Sequence, residues 1–194
     1  MSDRDTFIRA QLAASASLKQ ETAATALSQI GEAAQRLIAA LRGGRKVLLC
    51  GNGGSAADCQ HIAAELVSAL HHDRPRKALP AIALTTDTSF LTANANDFGF
   101  EHVFARQIEA LGQPGDILLA ISTSGNSVNV LRALETATAR GLDSILFTGK
   151  AGGKAAALAQ VAIRVPSGET QRIQETHITI GHILCELVER ELFR

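Results

Sequence analysis

From residue 46 onward, five short apolar runs alternate with stretches of helical composition, and this alternation narrows the fold more than any other feature. The runs are KVLLCG at 46–51, PAIALTT at 80–86, DILLAIST at 116–123, DSILFTG at 143–149 and VAIRVPS at 161–167. Each has the length of a strand buried on both faces, and most are near-continuously apolar, as parallel strands are. Between them helices are predicted at about 55–70, 89–111, 126–140 and 152–159, with a longer one closing the chain over 170–192. Repetition of strand and helix in this way predicts a doubly wound parallel α/β sheet. Ligands of such sheets bind beyond the carboxyl ends of the strands, so the corners that follow the apolar runs are where chemistry is expected.

Upstream, residues 4–42 read as helix. Leu27, Ile30, Ala34, Leu37, Ile38 and Leu41 recur at spacings of three and four. Gly43-Gly44 supplies the stop. The chain is thus expected to divide into a helical arm, residues 1–43, and an α/β body, residues 44–194. The arm is long for its apolar content, and packing against a second copy is one use for it.

Composition removes several function classes. Nineteen Lys+Arg balance nineteen Asp+Glu, whereas a protein that grips nucleic-acid phosphates is usually basic. Trp and Tyr are absent and Phe numbers 7, which leaves little for base-stacking platforms. No apolar run reaches the ~20 residues of a membrane span. The opening MSDRDTFIRAQ has no signal-peptide pattern, and Cys50, Cys59 and Cys185 form no CxxC. A cytoplasmic protein with free thiols, and with no nucleic-acid or membrane partner, is expected.

Two corners carry candidate chemistry. Gly51-Asn52-Gly53-Gly54-Ser55 follows the first apolar run and precedes a helix. Its glycines admit close backbone approach to an anion, the helix N-terminus offers N–H groups, and Ser55 adds a hydroxyl or an N-cap. Ser122-Thr123-Ser124-Gly125-Asn126-Ser127 follows the third run. Four hydroxyls in six residues exceed what a cap needs and match the three acceptor oxygens of a phosphate. On the helix after the first corner, Asp58, His61 and Glu65 fall near one face, and the His61/Glu65 spacing of four suits a shared metal or a base beside its partner. The closing helix carries Gln174, His177 and His182; Gln174 and His182 are separated by ~12 Å of rise and ~80° of rotation, so they either meet one ligand by reaching toward a midpoint or serve sites in different copies. Asn96-Asp97, before Phe98-Gly99-Phe100 at a helix break, could bond sugar hydroxyls or form an Asx turn. The charged loop His71–Lys77 is assigned to solvent, and the GKAGGK segment at 149–154 to a turn.

GNGGS at 51–55, His61 with Glu65, NDFGF at 96–100, ISTSGNS at 121–127, TGKAGGK at 148–154 and RIQETH at 172–177 with His182 together resemble the phosphoheptose isomerases of the sugar-isomerase (SIS) fold. The resemblance runs nearly end to end. It implies a three-layer αβα sandwich with a five-stranded parallel sheet, and a homotetramer with active sites between subunits. It implies interconversion of sedoheptulose 7-phosphate and D-glycero-D-manno-heptose 7-phosphate, the first step toward heptose of lipopolysaccharide or other surface glycans. By matching position, Ser55, Ser122, Thr123, Ser124 and Ser127 are the phosphate cradle. Asn52, Gly53, Gly54, Asn96, Asp97, Glu65 and Gln174 are substrate-binding positions, and Glu65 and His182 the acid/base pair. His61, Glu65, Gln174 and His182 match a zinc site, one ion per active site. Two departures stand out. Ala69 replaces an Arg present in some members, with Arg74 or Arg76 of a longer 70–79 loop as candidate replacement, and Gln171 replaces an acidic residue or proline. The alternatives are a non-enzymatic SIS-type sugar-phosphate receptor and an isomerase of another sugar phosphate.

Overall fold

The computed structural model describes residues 2–71 and 73–193. Five parallel strands, β1 (Val47–Gly51), β2 (Ala81–Ala83), β3 (Ile117–Ser122), β4 (Asp143–Thr148) and β5 (Val161–Arg164), lie in the order β2-β1-β3-β4-β5. Six helices accompany them: α1 (Asp3–Arg42), α2 (Gly54–Val67), α3 (Thr88–Phe98), α4 (Ala105–Leu111), α5 (Val128–Ala139) and α6 (Thr170–Leu192).

Period-two alternation within the strands separates two apolar layers. Val47, Leu49, Ile117, Leu119, Ile121, Ile145 and Phe147 face a core completed by α1, α2 and α6. Leu48, Cys50, Leu118, Ala120 and Leu146 face a second core completed by α4 and α5, with Leu91 and Ala95 of α3 packed on it. This is the expected three-layer αβα sandwich. Because β1 feeds α2 on one face and β3 feeds α5 on the other, the chain parts between these two neighbours. A crevice opens beyond their carboxyl ends, at the switch point of the sheet.

α1 begins with a capping box in which Ser2 Oγ accepts from Asp5 N–H while Asp5 returns a bond to the Ser2 N–H. Its second half joins the first core through Ala26, Ile30, Ala34, Leu37 and Leu41. Leu27 is 70% exposed, off the buried stripe to which its spacing assigned it, and Phe7, Ile8 and Leu12 are exposed as well.

Three element bounds differ from the sequence reading. The stretch 89–111 is two helices, divided at Gly99 by φ +94°, a conformation that ends α3. Residues 152–159 hold only a 3₁₀ turn over Ala155–Ala157, since Gly152 and Gly153 both take positive φ. β2 covers three residues of the run 80–86, as one of the two edge strands of the sheet.

Candidate active site

α2 starts where β1 ends, and glycines set the approach. A Cβ at Gly51 would come within 3.1 Å of Ile121 O and 3.0 Å of Ser55 O, so the corner closes only without a side chain. Gly53, at φ 57°, is the N-cap, and no side chain caps α2; Ser55 lies inside the first turn, buried, so of its two expected uses, hydroxyl donor or cap, it is not the cap. A Cβ at Gly54 would lie 2.7 Å from Gln174 Nε2. Gln174 therefore rests on the start of α2 and ties α6 to the first corner.

About two and three turns further along α2, and two turns along α6, the helices bring together His61, Glu65 and His182. His61 Nε2 is 3.0 Å and His182 Nδ1 2.7 Å from the same oxygen, Glu65 Oε1. The two imidazoles meet edge to face with centroids 5.1 Å apart. The Glu65 side chain is only 11% exposed. Despite the short distance, His182 Nδ1 is not aligned to hydrogen-bond that oxygen, and Glu65 Oε2 has no hydrogen-bond partner among the described residues. The three candidate ligand atoms, two imidazole nitrogens and a carboxylate oxygen, all lie within 4.8 Å of one another. Asp58 lies one turn before His61. Burial raises its carboxyl above the usual range, the field of His61 and His182 opposes this, and its buried Oδ2 is unpartnered.

Two imidazole nitrogens and a carboxylate oxygen are the ligand types that zinc takes, and an orphaned buried carboxylate oxygen beside them needs a counter-charge. The residues present fit a divalent cation. Gln174, two turns before His182 on α6, is the remaining predicted ligand, and its amide sits against Gly54.

The second corner lies across the crevice. Ser122 closes β3 and Ser127 is the N-cap of α5, their hydroxyls 3.2 Å apart. Ser127 makes no side-chain cap bond; its hydroxyl pairs with that of Ser122 and lies beside the N–H groups of the first turn. Thr123 is half-buried and Ser124 exposed; Ser124 Oγ accepts from Asn126 N–H at 3.1 Å. Gly125, at φ 63°, touches the 149–154 segment so closely that a Cβ there would lie 2.0 Å from Gly152 O. Ala155 N–H donates to Gly125 O at 2.9 Å and Lys154 N–H to Asn126 Oδ1 at 3.1 Å. The 149–154 segment, read from sequence as a mere turn, is the brace of the hydroxyl-rich corner.

Asn96 and Asp97 occupy the last turn of α3, exposed and bonded to each other at 2.8 Å, and share no hydrogen bond with either corner. The loop assigned to solvent is only partly so. Arg76 is buried, its side chain 3% exposed, and donates to Glu65 O at 2.6 Å, to Leu66 O at 2.9 Å and to Glu189 Oε1 at 2.7 Å. Its guanidinium closes the C-terminus of α2 and is not free to replace the family arginine that is missing at Ala69. Arg74 lies 3.8 Å from Glu186, which His71 also contacts.

Sequence reasoning missed Asn129. It is 3% exposed in the first turn of α5, and its amide exchanges two hydrogen bonds with that of Asn52, each 2.9 Å. Only the polarity of residue 129 at an otherwise apolar helical position hinted at it.

A SIS domain family model matches residues 12–149. The phosphoheptose isomerase of Roseiflexus sp. (strain RS-1) is 51% identical over 99% of this chain and 98% of its own length. That of Aquifex aeolicus (strain VF5) is 60% identical over 83% of each chain. The solved phosphoheptose isomerase from Francisella tularensis superposes with a TM-score of 0.92 at 39% identity, covering 98% of this chain and all of that one. The Neisseria gonorrhoeae structure gives 0.90 at 44% identity, with 96% and 98% covered. Fold, crevice and likeness agree that the chain belongs to the SIS-domain family and, within it, to the phosphoheptose isomerases, which are aldose–ketose isomerases.

Proposed function

We propose that this chain interconverts sedoheptulose 7-phosphate and D-glycero-D-manno-heptose 7-phosphate, with Glu65 and His182 as its acid/base pair. The observation that carries the reading is the pair itself: a carboxylate and an imidazole in contact at the mouth of a crevice whose opposite side is lined with hydroxyls. Ser55, Ser122, Thr123, Ser124 and Ser127 hold the phosphate by neutral donors. The backbone at Asn52, Gly53 and Gly54, with Asn96 and Asp97, contacts the sugar. Binding energy collected at the phosphate orients the reacting end.

The chemistry is a proton transfer between adjacent carbons. Glu65 removes a proton from C1 of the ketose, giving an enediol(ate), and returns it to C2. His182 takes the proton from the oxygen on C1 and delivers one to the oxygen on C2, a task suited to an imidazole, whose ring nitrogens can both accept and donate. Held by His61, Glu65, Gln174 and His182, a zinc ion would polarise the sugar carbonyl. A carboxylate bonded to a cation is a weaker base than a free one, so metal removal measures how much of the proton transfer Glu65 carries alone.

The assembly proposed is a homotetramer with sites at subunit interfaces, residues 1–43 acting as the oligomerisation arm on a body of residues 44–194. Exposed Phe7, Ile8, Leu12 and Leu27 on α1 support it. Asn96 and Asp97, remote from both corners in hydrogen bonding, would reach a neighbouring site. Three buried, unpaired cysteines fit the cytoplasm, and no helix among the described residues is long and apolar enough to cross a membrane. The deciding experiment is incubation with sedoheptulose 7-phosphate followed by product analysis. Formation of the aldose isomer supports the reading; binding without turnover would leave a sugar-phosphate receptor. Ala69, with Arg76 held at the end of α2 and Arg74 the remaining candidate replacement, favours one further reading, another ketose phosphate as preferred substrate, and a panel of such sugars tests it.

A further inference from the structure

We infer that Asn129 is a positioning residue that sets the width of the crevice through Asn52, and thereby the distance between the hydroxyl corner and the helix carrying Glu65. The inference rests on the reading of the crevice as the isomerase site. β1 and β3 pair as far as Gly51 and Ile121. Beyond these residues the chain leaves toward opposite faces, and nothing in the ladder holds the two corners at a fixed separation. The Asn52–Asn129 ring is placed there. Asn52 Nδ2 donates to Asn129 Oδ1 and Asn129 Nδ2 donates to Asn52 Oδ1, both at 2.9 Å. Asn129 lies two residues after Ser127, and Asn52 two residues before Gly54, so the ring joins the two anion corners themselves.

A cyclic amide pair is exacting, because each side chain must offer one donor and one acceptor on the same edge. Burial makes a mismatch costly. Valine or leucine could fill the space, but only an amide or a neutral carboxylic acid can close the ring. Hydrogen bonds connect neither amide to a titratable side chain among the described residues. The charged groups on elements packed against α5, Glu101 with His102, Arg106 with Glu109 and Asp143 of β4 with Arg36, are paired, as are Arg132 and Glu135 on α5 itself.

This exactness supplies the test. In Asn129→Asp the protonated acid reproduces the ring, its O–H donating to Asn52 Oδ1 and its carbonyl accepting from Asn52 Nδ2. The carboxylate cannot, since it sets an anion against Asn52 Oδ1. Burial holds the introduced carboxyl protonated toward neutral pH. Measured against wild type at each pH, kcat/KM of Asn129→Asp is expected to be near parity at pH 5 and to fall about tenfold or more by pH 8. Asn129→Leu is expected to be impaired by a similar factor at every pH. Backbone hydrogen exchange over residues 52–56, compared with wild type at the same pH, is expected to accelerate in step, with no substrate present. A ratio independent of pH together with unchanged exchange overturns the inference, whether or not Asn129→Leu folds. Should wild type fail to isomerise any heptose phosphate while exchange at 52–56 still follows the ionisation, the positioning role stands and the isomerase reading falls.

Discussion

Arg76 donates its Nη2 to the main-chain carbonyl of Glu65 across 2.6 Å. The residue proposed as the carbon base is therefore gripped from behind by a cation eleven positions later, whose own charge is met by Glu189. Glu189 also accepts from Leu70 N–H at 2.8 Å, so the end of α2, the loop after it and α6 share one buried network.

Arg76→Met should be strongly destabilising, because it removes the cation from the Glu189 carboxylate in a site that is 8% exposed and takes the guanidinium donor from the Glu65 carbonyl. A loss of about 3 kcal/mol or more in urea unfolding is expected. Adding Glu189→Gln should recover part of it by removing the stranded charge. A single variant as stable as wild type would show that the network adds nothing.

Glu65→Gln and His182→Gln should each lower kcat by about 100- to 10,000-fold while preserving the oligomer and the circular dichroism spectrum. The direction follows from chemistry, since an amide cannot take a proton from carbon or shuttle one between oxygens. Near-normal turnover in either variant removes that residue from the mechanism.

Zinc binding is measurable apart from turnover. Calorimetric titration of chelator-treated protein should give one ion per chain, with His61→Ala weakening affinity by about tenfold or more. Activity should fall on chelation and return with zinc. Full activity in demonstrably metal-free protein would confine the cluster to its acid/base role.

His177 predicts an acid-sensitive fold. Burial pushes its imidazole down to about 4, with the bond to Thr148 O at 3.2 Å opposing, so it stays neutral in the folded chain. An unfolded histidine titrates near 6.5. The folded value is the lower one, so the unfolded chain takes up the proton first. Stability is thus fully present above about pH 6.5 and declines as pH falls toward 4, by at most about 3 kcal/mol. In His177→Gln, whose amide can still donate to Thr148 O, the slope of unfolding free energy between pH 4 and 6.5 should be smaller. An unchanged slope would assign the acid sensitivity to other groups.

How much of this was readable in advance depended on the range of the interaction. The five strands and the closing helix announced themselves because burial on both sheet faces leaves continuous apolar runs, and a 3.6-residue stripe repeats over 170–192. His61 and Glu65 were placed together because a helix fixes residues four apart. Gly99 broke a helix that composition alone extended, through a backbone angle rather than a side-chain pattern. Arg76 looked like one more charge in a solvated loop, and Asn129 like an ordinary helix residue. Their partners, Glu189 and Asn52, lie far along the chain, and no local periodicity encodes such pairings. The meeting of Glu65 with His182 became visible only through the family resemblance, because it needs α2 and α6 docked.

That docking has a bearing on biosynthesis. α6 brings His182 to Glu65, Gln174 to Gly54, Glu189 to Arg76, and Gly181 to Ile62, where a Cβ would come within 2.7 Å. Each contact joins a residue of the first half of the chain to one of its last 25 residues. A nascent polypeptide could therefore complete all five strands on the ribosome and still be catalytically silent. The Glu65–His182 pair would form in a single late step, when α6 settles against α2, ahead of assembly into the proposed tetramer.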